Sequence, residues 1–392
     1  MHGWMSKRLI AIGTGLAIVI AAIAYRVMIP LDAERIAAIP TAKNVDVPSS
    51  SARSLYASLA VADLHADSLV WTRDLSERSE QGQVDIPRLI ENGVRLQVFM
   101  AAIDAPNDIS GDSIAAEGDQ ITQIVLADGW PLRTIWSHFE RARFLSNKLH
   151  HFENAAVGRF TIVKSQADLR SYLESARKYP AQTAGILGIE GPIALEEDLD
   201  KIERLVELGY RSMSLAHYND TAFSGSSSGR RKGGLTDAGR EAVKRMEQAG
   251  IIVDLAHMSD ASISDVLDMA KRPVFASHVG VRAVCPVARN LDDTMIVAIA
   301  ETGGLIGVGF SADTTCTLSI DPVVDSIVHI RNLVGAQHVA LGSGFDIAAL
   351  PLGLSDLPIL IDHLRARGLD DEEIAGVMGA NAIAFYGRAL PE

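Results

Sequence analysis

Beyond residue 55 the chain alternates short apolar or β-branched runs with longer amphipathic stretches, the pattern of a strand followed by a helix. Runs near Leu59–Leu64, Val94–Ala101, Ala184–Ile189 and Arg211–Ala216 predict four strands. Runs near Ile251–Leu255, Pro273–Ser277, Leu305–Phe310 and His338–Leu341 predict four more. Segments such as LDKIERLVELG, TDAGREAVKRMEQAG and DPVVDSIVHIRNLVG read as the intervening helices, each closed by a Gly that suits a helix C-terminus. Repeated βα units build a parallel sheet. Eight of them in roughly 330 residues predict the α/β class and a closed (β/α)8 TIM-type barrel. A doubly wound open sheet is the rival.

Two stretches break the rhythm. Residues 102 to 165 read as an insertion, helical around Asp119–Leu145. Residues 221 to 235, TAFSGSSSGRRKGGL, carry no periodicity and predict a surface loop over the barrel mouth.

The N-terminus is different in kind. Lys7 and Arg8 precede an uncharged stretch from Leu9 to Tyr25, and Arg26 closes it. As a helix at ~1.5 Å per residue it spans ~25 Å, just short of a bilayer core. It reads as an apolar helix: a membrane anchor, or a signal peptide with a small-x-small site at Ala22-Ile23-Ala24. The positive flank stays cytoplasmic, so the remainder is expected on the periplasmic or extracellular face, tethered by its N-terminus or released by cleavage. Residues 1–30 are thus expected to be anchor or signal, 31–55 a linker and 56–392 the barrel domain.

Of the 392 residues 48% are hydrophobic, which suits a globular core, and the net charge of −13 argues against nucleic acid as a partner. The only two cysteines, Cys285 and Cys316, read either as one bridge or as two unrelated thiols.

Active sites of such barrels lie at the C-terminal ends of the strands. There the sequence puts His65 and Asp67 (DLHADS), Glu190 (GIEGP), His217 (LAHYND), His257 (DLAHMS), His278 (ASHVG) and Asp346 (GSGFD). Singly, each is as well explained by a capped helix or a satisfied core histidine. Together they would meet at one mouth, where so many buried imidazoles and carboxylates are costly without a cation. Zinc takes these donors, and the set is too large for one catalytic ion but suits two. A carboxylate can bridge two cations and an imidazole cannot. With no Lys at these strand ends, Glu190 is the natural bridge. Such a pair readies a water molecule and polarises the carbonyl under attack, which predicts metal-assisted hydrolysis.

These motifs, with VDIPRLIENGV and SHVGVRAVCPVARNLDD, resemble the membrane (renal-type) dipeptidases, zinc peptidases of the amidohydrolase-like barrels. The resemblance runs from about Val61 to GANAIAFYG at 379 to 387. It implies two Zn2+, one held by His65, Asp67 and Glu190, the other by Glu190, His257 and His278. It also implies that Asp346 handles the proton of the attacking water, that His217 steadies the tetrahedral intermediate, and that Arg289 grips the C-terminal carboxylate of a dipeptide substrate. Cys285 and Cys316 fall where mammalian members form a disulfide. Two departures stand out: SGFDI where the family often has SDFDG, which puts Gly344 in place of an acid, and LHAD where it often has GHND. Both put substrate preference in doubt more than metal binding. A homodimer is left open. The alternatives are a binuclear hydrolase of another amide or ester, such as an N-acyl amino acid or a lactam, and a catalytically idle, membrane-tethered binding barrel.

Overall fold

The computed structural model describes residues 46–107, 118–346 and 348–392. Nine strands run through them: β1 (Val61–Ala66), β2 (Val94–Ala102), β3 (Phe160–Ile162), β4 (Thr183–Glu190), β5 (Tyr210–Ser214), β6 (Ile252–Asp254), β7 (Phe275–Val279), β8 (Leu305–Val308) and β9 (Val339–Leu341). All pairings are parallel. The order β2-β1-β9-β8-β7-β6-β5-β4 closes on itself because β2 also pairs with β4. The result is an eight-stranded (β/α) barrel, as the sequence pattern predicts.

β3 is the unexpected strand. It pairs with β4 over Thr183, Ala184 and Gly185, while β5 joins β4 only from Leu187 onward. β3 therefore completes the lower part of the lane that β5 occupies above it. Three residues are too few to show a period, which is why the sequence reads them as part of the insertion.

β4, TAGILGIE, is buried along its whole length, as a parallel strand covered on both faces must be. Gly188 is needed there for space: a Cβ would fall 2.3 Å from Met100 Sδ and 2.5 Å from Ser212 Oγ. The helices are set by their caps. Asp237–Ala249 begins where Thr236 accepts a hydrogen bond from Gly239 N and ends at Gly250 in the left-handed region, and it buries Ala242, Val243 and Met246.

The C-terminal helix Asn381–Ala389 closes the N-terminal end of the barrel. Phe385 and Tyr386 pack on Phe275, the first residue of β7, with ring centroids 5.8 and 6.2 Å apart. Arg272 Nη2 donates to Ala389 O at 2.6 Å. Burying a side chain such as Phe385 contributes about 1.5–3 kcal/mol.

The insertion after β2 contains helices Gln120–Ala127, Arg133–Trp136 and His138–Ala155. Buried Arg141 knots it together, donating to Asp119 Oδ2 at 2.6 Å and to the carbonyls of Ile103 and Thr134 at 2.8 Å each. This knot fixes Asp104 and His138 beside the barrel mouth.

The Gly/Ser-rich segment differs from the expected surface loop. Phe223–Ser227 is buried, Ser226 Oγ donates to His217 O at 2.5 Å, and Ser227 N donates to His257 O at 2.8 Å. Its small residues allow a close clamp on two histidine backbones, and Arg230 and Arg231 stay exposed. At the other end of the domain, Ser50–Tyr56, expected to close the linker, is a helix. Ser49 ties it to Asp362 through two hydrogen bonds of 2.7 Å. The apolar N-terminal segment lies outside the described residues. Among those described, no helix is long and apolar enough to cross a membrane.

Candidate metal centre

The barrel delivers the expected donors to one place. His65 lies in β1 and Asp67 just beyond it, Glu190 ends β4, and His278 lies in β7. His217 and His257 each stand three residues past the ends of β5 and β6. All six are buried. Glu190 is at the centre: its Oε1 is 3.2 Å from His257 Nε2, 3.6 Å from His65 Nε2 and 3.7 Å from His278 Nε2, and its Oε2 is 3.3 Å from His217 Nε2. Asp67 Oδ2 is 3.1 Å from His65 Nε2, and the Nε2 atoms of His257 and His278 are 3.2 Å apart. Two ligands of one tetrahedral zinc are about 3.3 Å apart, so these spacings suit shared coordination.

Two compact triads emerge, His65–Glu190–His278 and Glu190–His217–His257. Both contain Glu190, the residue expected as the bridge. The partition differs from the one implied by the resemblance, which groups His278 with His257 and leaves His217 out. With the His257 and His278 nitrogens at ligand spacing, both partitions draw on the same cluster.

The donors' chemistry fits a cation. Burial, with Arg289 and the neighbouring imidazoles, holds His257 and His278 well below the usual histidine range, so both present neutral nitrogens. Burial would also lower His65, but the Asp67 and Glu190 carboxylates outweigh it and raise the imidazole to about 9. Burial raises the Glu190 carboxyl against the pull of His217. Asp67 Oδ1 is buried without a hydrogen-bond partner. A buried acceptor in that state is costly, and a cation would satisfy it.

Other contacts orient the rings. Ser277 Oγ lies 2.9 Å from His278 Nδ1 and 3.3 Å from His65 Nδ1, so both rings turn Nε2 toward Glu190. His217 Nδ1 meets Asp104 O at 3.0 Å, which does the same for His217. His257 has φ of 68°, in the left-handed region that a histidine rarely adopts. Ser277, Asp104 and the Ser226–Ser227 clamp were not singled out from the sequence. Ser277, as the residue before His278 in ASHVG, offered only a weak signal.

Arg289 is buried at the mouth in the loop after β7. Its Nη2 is 2.8 Å from His278 Nε2 and 2.7 Å from His278 O, while Nε and Nη1 have no hydrogen-bond partner. Cys285 and Cys316 form a disulfide with Cα atoms 5.6 Å apart, joining the loops after β7 and β8. Beside the cluster opens a cavity of about 410 Å3, lined among others by Asp104, His138, Gly191, Ile193, His217 and Phe223.

The Asp346 carboxylate makes no hydrogen bond to the side chains of the cluster. It accepts from Arg73 Nη2 at 2.6 Å, Ser68 Oγ at 2.5 Å and Val84 N at 3.3 Å, and also from Gln83 N. No imidazole is among its partners.

A barrel with imidazoles and carboxylates converging at its C-terminal mouth defines the metal-dependent hydrolase class. Comparison with known proteins narrows the class. The family model described as membrane dipeptidase (peptidase family M19) matches residues 49–389. The dipeptidase aclJ of Aspergillus oryzae is 28% identical over 349 residues, 83% of this chain and 77% of that protein. Dipeptidase 3 of Mus musculus is 30% identical over 216 residues, 52% of this chain and 44% of that protein. A solved M19 metallopeptidase, dipeptidase AC, superposes with a TM-score of 0.70 at 26% identity, covering 85% of this chain and 99% of its own. A metallopeptidase from Rhodobacter sphaeroides, liganded with a phosphinate mimic of the dipeptide L-Ala-D-Ala, gives 0.69 at 26% identity, covering 84% and 99%. The chain belongs to the membrane dipeptidase family, peptidase family M19. It is a hydrolase of the metallopeptidase kind, and its relatives are dipeptidases.

Proposed function

We propose that the protein is a binuclear zinc dipeptidase that cleaves dipeptides bearing a free C-terminal carboxylate. The observation that carries this reading is the Glu190 carboxylate set among four imidazole nitrogens at 3.2 to 3.7 Å, with two free guanidinium nitrogens of Arg289 beside it. His65, Asp67, Glu190, His257 and His278 would hold the two ions, with Glu190 common to both. When bound, the ions would lower the pKa of water and polarise the scissile carbonyl.

The chain's own residues set the rest. Arg289 keeps Nε and Nη1 free of partners, so its guanidinium can donate to a substrate carboxylate, which fixes the substrate one residue from its C-terminus. His217, oriented by the Asp104 carbonyl, points Nε2 into the same space, where it can steady the charge that develops on the carbonyl oxygen. The adjoining cavity offers room for the N-terminal residue of the dipeptide. The relative that binds a mimic of L-Ala-D-Ala supports including a D-residue at the C-terminal position. Export of the domain belongs to the same proposal. It rests on Lys7 and Arg8 before the uncharged stretch, and the Cys285–Cys316 disulfide suits an oxidising compartment.

The test is reconstitution of metal-stripped protein with zinc, followed by a panel of L,L and L,D dipeptides, their C-terminal amides and N-acyl amino acids. Two zinc ions per chain and hydrolysis of free dipeptides but not their amides are expected. Hydrolysis of N-acyl amino acids alone would replace the reading with the broader amide hydrolase. No hydrolysis at all would favour the idle binding barrel.

A further inference from the structure

Asp346 is 1% exposed, and it lies where the end of the last strand meets the segment after β1. Its carboxylate meets five donors: Arg73 Nη1 at 3.4 Å, Arg73 Nη2 at 2.6 Å, Ser68 Oγ at 2.5 Å, Val84 N at 3.3 Å and Gln83 N. An ionised carboxylate offers about four lone-pair sites. None is left for the proton of a water molecule. The backbone of Asp346 is held as well, donating to Gln83 Oε1 at 2.8 Å and accepting from Trp71 Nε1 at 2.7 Å.

These bonds span the whole segment between β1 and the helix Ile86–Glu91, from Ser68 to Val84. The same strand end also grips β1. Phe345 O accepts from Asp67 N at 2.9 Å, and Gly344 N donates to His65 O at 3.2 Å. Two of the cluster's donors thus sit on backbone stapled to 344–346, and Asp346 ties down the chain that follows them. Gly82 makes room for the tie, since a Cβ there would fall 1.0 Å from Arg73 Nη1. The residue where the family often carries an acid, Gly344, has φ of 72°, and a Cβ built on it meets nothing within 4 Å.

We propose that Asp346 is a positioning residue, which with Arg73 fastens residues 68–84 across the end of the last strand and so holds His65 and Asp67 in metal-binding geometry, and that it does not exchange a proton with the attacking water. The proposal concerns the metal site of the function given above. Its main readout is metal affinity, which needs no substrate, so failure of the dipeptidase reading leaves it testable.

The experiment compares Asp346→Asn, Arg73→Met, the double variant and Ser68→Ala with the unmodified protein. Zinc affinity is measured by chelator competition on the metal-stripped full chain, and kcat against pH is measured with excess zinc. Expected are losses of about tenfold or more in zinc affinity for both single charge variants, the range of supporting contacts around a metal site. The double variant should be no weaker than either single one, because both act through one contact. Ser68→Ala should show a smaller loss of the same kind. With excess zinc, kcat should recover and both limbs of the pH profile should remain. The proposal is overturned if Asp346→Asn binds zinc like the unmodified protein but loses kcat about a thousandfold or a limb of the pH profile while Arg73→Met does not. If the charge variants do not fold, Ser68→Ala decides: unchanged zinc affinity there overturns the proposal.

Discussion

Arg289 Nη2 lies 2.8 Å from His278 Nε2, which puts a guanidinium against one imidazole nitrogen of the candidate metal centre and leaves its Nε and Nη1 without partners. A cation on His278 would take the lone pair that Nη2 now faces and leave the guanidinium to the substrate. Replacing Arg289 by Met should then raise KM for a free dipeptide far more than it lowers kcat. A hydrogen bond to a charged group contributes about 1.5–3 kcal/mol, or about ten- to a hundredfold in KM. Steady-state kinetics on a dipeptide and on its C-terminal amide check this. If the variant discriminates the two as well as the unmodified protein does, Arg289 does not read the carboxylate.

Glu190 is common to both triads, so Glu190→Gln should empty both positions rather than one. Elemental analysis after dialysis should find less than one zinc per chain. Ser277→Ala, which frees the Nδ1 atoms of His65 and His278, should weaken zinc binding by about ten- to a hundredfold without changing the ligands. Full zinc occupancy in Glu190→Gln would remove it from the site.

Metal binding should release a proton. In the metal-free protein His65 titrates at about 9 and is protonated at neutral pH, whereas the depressed His257 and His278 are neutral. Calorimetry in buffers of different ionisation enthalpy should therefore give at least one proton released per chain near pH 7, with the share from His65 falling away above about pH 9. The same shifts set the stability of the metal-free fold. The raised pKa of His65 adds stability that is full below about 6.5, its unfolded value, and is lost as pH rises through about 9. The lowered values of His257 and His278 act oppositely, adding stability above about 6.5 that is lost as pH falls. No proton release near neutrality would contradict this ordering.

The disulfide should matter for the Arg289 loop. Asn290 binds the same region, donating to Cys285 O at 2.9 Å and Thr314 O at 2.8 Å and accepting from Gly280 N at 2.8 Å. A bridge between residues 31 apart contributes roughly 3–4 kcal/mol in the chain-entropy model. Cys285→Ser with Cys316→Ser should lower the unfolding free energy by about that much. It should raise KM before it affects zinc content. Equal denaturant midpoints with and without the bridge would refute it.

The eight barrel strands were legible because each is a buried apolar run between helix ends, and the structure finds them within about two residues of the expected bounds. β1 illustrates the slip: Leu59 and Ala60 read as strand but precede it, and His65 and Ala66 belong to it. The convergence of the candidate donors was legible because barrel geometry sends strand ends to one mouth. What was not legible is what depends on pairs far apart in the chain. Arg73 and Asp346 are separated by 273 residues, and nothing local in either motif marks the other. The Gly/Ser segment misled in the same way, because small polar residues serve a buried clamp as readily as an exposed loop.

The helix Asn381–Ala389 stoppers one end of the barrel with Phe385 and Tyr386. All traffic must then use the opposite opening. On the proposed function a dipeptide would enter and two free amino acids would leave by the same door, so the rim formed by the insertion and the Arg289 loop would govern discharge of products as much as admission of substrate.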